Sequence, residues 1–150
     1  KNTDGTPVLK KRICGNRFEG TNIYKRGEYY YLFASIGTCC NGATSTYQTV
    51  VGRSKNVLGP YLDKTGRDML YDYCEIIMSG NETWAGPGHN SILIQDDVGT
   101  DWIIYHGYKK KEAENGRYVL MDKLIWSNDG WPSVKSNAPS ILEVAPYFQK

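Results

Sequence analysis

At 150 residues the chain is the size of one ordinary domain and long enough to bury a core. Its 18 basic and 16 acidic residues leave a net charge of +2, so no charge argument points to nucleic acid as a partner. No apolar run approaches the roughly 20 residues of a membrane-spanning helix, and no membrane partner is expected.

The chain opens on Lys1-Asn2-Thr3-Asp4-Gly5, without Met and without a signal-peptide pattern, and reads like the inside of a larger polypeptide. Strand signals dominate and no segment sustains a helical period. A strand follows Glu19-Gly20 and ends at the turn Lys25-Arg26-Gly27. The next, Glu28 to Ala34, is rich in aromatic and apolar residues, and a loop carrying Cys39 and Cys40 follows it. Thr49 to Ser54 forms a third strand, closed off by Gly59-Pro60. Further strands are expected at 91–95, 101–106 and 117–126, with Gly, Asp and Asn clusters between them making turns. Asp96, Asp97 and Asp101 read as a polar hairpin, and they lack the ligand spacing of a calcium loop. Lys109-Lys110-Lys111, followed by Glu112 and Glu114, reads as a solvated loop, and His106, ending a strand, as structural. The fold class is all-β.

Twelve Tyr and four Trp against three Phe give most rings a polar handle, which suits wet surfaces, sugar stacking and half-exposed strands alike. The four cysteines, Cys14, Cys39, Cys40 and Cys74, match neither a zinc spacing nor a Cys-x-x-Cys motif. Adjacency argues against a Cys39–Cys40 disulfide, and a Cys14–Cys74 bridge is compatible with the sequence without being required by it. Asn81-Glu82-Thr83 fits a glycosylation sequon, a triplet frequent by chance.

The strand pattern repeats. One unit runs from Glu19-Gly20 through a turn, an aromatic strand, a loop and Gly52-Arg53-Ser54 to Gly59-Pro60-Tyr61. The other runs from His89-Asn90 through the same succession to Gly130-Trp131-Pro132, about 70 residues later. Each is one four-stranded propeller blade in length, and propellers close with roughly four to eight blades. Two blades cannot close, so further blades are expected from the same precursor or a second chain.

Several segments, in this order, resemble glycoside hydrolase family 43 and, within it, the endo-arabinanases. They are Phe18-Glu19-Gly20 with the strand after it, Gly37-Thr38-Cys39-Cys40-Asn41-Gly42 with Ser45-Thr46-Tyr47, Gly86-Pro87-Gly88-His89-Asn90-Ser91, and Asp101 to His106 with Gly116 to Pro132. The resemblance implies two blades, each a four-stranded antiparallel sheet, of a five-bladed β-propeller. The whole chain, 1–150, would be the C-terminal portion of one catalytic domain, with blades at 15–70 and 86–135 and a tail at 136–150. It implies an inverting hydrolase of α-1,5-linked arabinan, secreted or periplasmic, whose general base lies on earlier blades, leaving this chain inactive by itself.

Inverting hydrolysis needs a protonated carboxyl at the leaving oxygen and a carboxylate roughly 6.5–9.5 Å away to activate water. The resemblance makes Glu19 the acid. His89, in the same place of the second repeat, becomes the metal-site residue, with calcium as the implied ion. An imidazole is an unusual ligand for so hard a cation. Arg117, opening the strongest late strand, is expected to donate to substrate hydroxyls, and Cys39 to line a subsite. Two other readings remain: a xylosidase or arabinofuranosidase of the same family, and a non-catalytic carbohydrate-binding or assembly fragment.

Overall fold

The computed structural model describes residues 4–5 and 11–149, so most of the opening stretch lies outside it. The first sheet is antiparallel in the order β1 (Glu19–Arg26), β2 (Tyr29–Ile36), β3 (Gln48–Ser54) and β4 (Glu75–Met78). β1 and β2 are joined by Gly27-Glu28, and Gly27, at a φ of 56°, supplies the positive dihedral that a two-residue hairpin takes at its first central position. β2 is buried from Tyr31 to Ile36 and so reads as a continuous apolar run. Alternation still sorts it: Tyr31 and Phe33 enter one core, and Leu32, Ala34 and Ile36 the other.

The second sheet is built around β7 (Asp101–Lys109). On one side lies β8 (Arg117–Lys123); on the other lie β5 (Trp84–Gly88) and β6 (Ile94–Gln95), which pair with opposite ends of β7. The expected strand at 91–95 is thus shorter, and β5 ahead of it forms where the sequence reading placed none. The expected strand 117–126 breaks at Leu124, whose amide donates to the Asp101 carbonyl. Beyond the break, β9 (Ile125–Trp126) pairs with β10 (Pro132–Ser133). β4 lies past residue 70, so the first sheet runs longer than the span read from the repeat.

The larger core lies between the sheets, where Tyr31, Phe33 and Val51 meet Ile103, Tyr105 and Trp131. The smaller covers the far face of the first sheet with Phe18, Tyr61 and Met69. Met69 dictates a glycine at 52, because a β-carbon there would stand 2.4 Å from its sulfur. No helix among the described residues is long and apolar enough to cross a membrane.

Candidate active site

Glu19 opens β1 opposite Ser35 of β2, and the register slips between Glu19 and Asn22. The slip is a β-bulge, a device that re-aims a side chain at a sheet edge. Gly20 sits inside it with a φ of 55°. Glu19 itself is exposed.

The loop after β2 comes back to this carboxylate. Tyr47, only 1% exposed, donates from its hydroxyl to Glu19 Oε2 at 2.9 Å. Burial, then the bond to Glu19, pushes the phenol up to about 12, so the tyrosine keeps its proton at working pH. Room for the loop comes from the Gly86-Pro87-Gly88 segment. A β-carbon at 86 would lie 2.6 Å from Ser45 Cβ, and one at 88 would lie 2.4 Å from the Tyr47 ring.

His89 follows at once in the left-handed region, with a φ of 51°. Its amide donates to Ser35 Oγ at 2.7 Å, and its ring lies over Gly20, 3.0 Å from where a β-carbon would stand. His89 therefore lies against the residue that follows its counterpart in the repeat, Glu19. His106, paired across the ladder with Gly88, stacks on Tyr47 with centroids 5.9 Å apart and on His89 with centroids 6.2 Å apart. Burial first, then the charges of Arg117 and His89, pushes the His106 imidazole down to about 4, so it is neutral at pH 7. Arg117 is exposed beside it, with Nη1 3.4 Å from His106 Nε2.

Three of the expected site residues, Glu19, His89 and Arg117, are thus gathered at one end of the seam between the sheets. Ser35, Tyr47 and His106 join them without having been picked out as site residues. His106 is no mere strand end, because it stacks on the rings beside both Glu19 and His89. The repeat did not single them out: Ser35 stands opposite Glu19, whereas His106 stands opposite Gly88, one residue before His89.

Cys39 requires a correction. It forms a disulfide with its neighbour Cys40, against the expectation that adjacency rules one out. Their Cα atoms are 3.8 Å apart, the spacing of any two residues joined by a trans peptide and below the usual disulfide span. Thr46 N donates to Thr38 O at 3.1 Å, Asn41 N to Ser45 Oγ at 3.0 Å, and Ser45 Oγ to Cys39 O at 3.3 Å. Cys14 and Cys74 are free thiols packed against the smaller core, and burial raises both.

A calcium ion takes roughly six to eight oxygen ligands. Among the described residues no three His, Cys, Asp or Glu side chains come together, so the exposed His89 offers one ligand and not a cage. These residues do not by themselves fit the ion.

Residues 3–132 match the sequence profile of the glycosyl hydrolases family 43. The chain belongs to that family. It is 45% identical over 118 residues to the extracellular exo-α-(1→5)-L-arabinofuranosidase ArbA of Cellvibrio japonicus, a match covering 79% of this chain and 33% of that protein. It is 41% identical over 120 residues to the extracellular endo-α-(1→5)-L-arabinanase 1 of Bacillus subtilis, covering 79% and 35%. In structure it is similar to the α-L-arabinanase of Cellvibrio cellulosa complexed with arabinohexaose, with a TM-score of 0.74, 44% identity, and 80% and 37% of the two chains covered. The family 43 endo-arabinanase of Bacillus licheniformis superposes with a TM-score of 0.76 at 33% identity, covering 88% and 46%. The chain spans about a third of the length of the curated relatives. These arabinanases are five-bladed β-propellers, of which this chain covers part, so the expected fold class holds.

Proposed function

We propose that Glu19 is the general acid of an inverting hydrolase of α-1,5-linked arabinan, with its general base on blades outside this sequence. The observation that carries the reading is the exposed carboxyl of Glu19, one oxygen held by Tyr47, with the His89 ring over Gly20 and Arg117 beside His106. Arabinan is favoured as substrate by the names of the relatives and by the arabinohexaose bound to the Cellvibrio cellulosa enzyme. Two of those relatives are named extracellular, which supports secretion.

Glu19 protonates the glycosidic oxygen as the bond to the anomeric carbon breaks, and the carboxylate left behind keeps its hydrogen bond from Tyr47. Arg117 donates to sugar hydroxyls through its planar guanidinium. The Cys39–Cys40 disulfide forms a wall of the sugar subsite. His89 is the residue that would hold a calcium ion, were one bound, and the ion would supply positive charge to the site.

Glu19→Gln in the full-length enzyme tests the acid. Hydrolysis of arabinan, a poor leaving group, falls about 10²–10⁴-fold, whereas activated aryl arabinofuranosides lose much less. Equal loss on both substrates, or none, removes Glu19 from the role. Residues 1–150 alone are expected to be inactive, and clear turnover by them overturns the assignment of the base elsewhere. His89→Ala should lower bound calcium, by elemental analysis, together with activity; unchanged metal content with reduced activity makes His89 a substrate contact.

A second reading, exo-acting arabinofuranosidase, is favoured by the name of the Cellvibrio japonicus relative. Linear arabinan assayed beside nitrophenyl arabinofuranoside and xyloside separates the two. Saccharide binding without turnover by the full-length protein would instead mark a non-catalytic module.

A further inference from the structure

The groups behind Glu19 form a chain of donors that all point one way. The His89 amide donates to Ser35 Oγ at 2.7 Å. Ser35 Oγ stands next to Tyr47 beside Gly88 and acts on its hydroxyl, and Tyr47 donates onward to Glu19 Oε2 at 2.9 Å. Ser35 is fully buried and Tyr47 nearly so, which keeps both out of reach of a sugar. The Tyr47 ring has little freedom: Gly88 lies against one part of it, and it stacks on His106 at 17° between planes.

We infer that Ser35 and Tyr47 are positioning residues that fix the catalytic proton on Glu19 Oε1 and stabilise the charge left on Oε2 as that proton departs. The inference rests on Glu19 being the acid. Oε2 accepts from Tyr47 whether the carboxyl is protonated or not, so the acidic proton resides on the other oxygen. When the proton moves to the glycosidic oxygen, the pair of electrons from the O–H bond stays on the carboxylate. A fixed donor at Oε2 favours that state over the neutral acid, which is the differential stabilisation that accelerates a reaction. Aligned donors polarise one another, so Ser35 strengthens the bond Tyr47 makes. The chain begins at the main-chain amide of His89, which no side-chain substitution removes.

Tyr47→Phe keeps the ring and removes the donor. In the full-length enzyme, kcat on arabinan should fall about 10- to 100-fold with KM unchanged. An activated aryl arabinofuranoside, which needs less protonation, should lose no more than about 3-fold. Ser35→Ala should show the same pattern at smaller amplitude, and it reports independently should Tyr47→Phe fail to fold by circular dichroism. Because Tyr47 acts through Glu19, adding Tyr47→Phe to Glu19→Gln should cost nothing further. Unchanged kcat in Tyr47→Phe, equal loss on both substrates, or an added loss in the double variant overturns the positioning role while leaving Glu19 intact as the acid. If Glu19→Gln itself fails to separate the two substrates, the acid assignment falls and the positioning role falls with it.

Discussion

The two ends of the seam between the sheets are built on opposite principles. At the far end Asp101, 3% exposed, is saturated: it accepts from Tyr24 at 2.7 Å, Trp126 at 2.8 Å and Gln95 at 3.0 Å, and pairs with Arg26 at 3.4 Å. Tyr24 stacks on Trp126, and Arg26 lies 4.5 Å over the same indole. At the near end Glu19 is exposed, while Asn22 Oδ1, Asn90 Oδ1 and His106 Nδ1 are buried without a hydrogen-bond partner in the protein. A buried polar group that is fully paired holds a fold together; one left unpaired costs stability and marks a place where something other than stability is served. Asp101 and Glu19 stand at opposite ends of one seam, and only the first is there to hold it shut.

That contrast is broken most directly at Asp101. Asp101→Ala takes the shared acceptor from half-buried Tyr24 and Trp126 and from exposed Gln95, and should destabilise the protein by about 2 kcal/mol, read by urea titration, with little change in kcat for the molecules that remain folded. Gly88→Ala comes next, because its β-carbon would sit 2.4 Å from the Tyr47 ring. Overpacking there should cost about 1–3 kcal/mol, and unlike the Asp101 change it should also depress activity by displacing the tyrosine. Tyr24→Phe, which takes one donor from Asp101 and keeps the stacking, should cost about 1 kcal/mol in the same titration and leave kinetics alone.

The smallest effect concerns pH at the near end. The folded His106 imidazole, at about 4, lies below its ordinary 6.5, so on acidification the unfolded chain takes up this proton first. Its contribution to stability is complete above about 6.5 and is lost as pH falls from there toward about 4. The half-exposed ring is partly screened, so the slope is shallow. His106→Gln should flatten the difference in melting temperature between pH 7 and pH 4.5; an unchanged difference would deny His106 that role.

Much of this protein was legible in local pattern. The density of aromatic and apolar residues from Glu28 to Ala34 is a property of neighbours, so the strand follows from the sequence, whereas the burial of both its faces needed the two cores. The match between Glu19 and His89 in the repeat likewise predicts two side chains at equivalent places, and the His89 ring lies over Gly20, the neighbour of Glu19. Where pattern was short it failed. β5 is Trp-Ala-Gly-Pro-Gly, a segment with no strand propensity, held extended because Ser45 and Tyr47 pack against its glycines. The Cys39–Cys40 bond depends on a loop closed by hydrogen bonds between residues that sequence alone does not pair.

What the sequence by itself determined, then, is the all-β class, the repeat and the place of the Glu19 carboxyl in it, because strand patterning and turn chemistry act within a few residues. Only the tertiary structure decided what stands behind that acid. Tyr47 is 28 residues from Glu19, and His89 is 54 from Ser35, so no local signal joins them. They meet because burying the apolar faces of two sheets leaves one arrangement of the loop between them, and the hydrogen bonds that hold Glu19 form as a result of that packing.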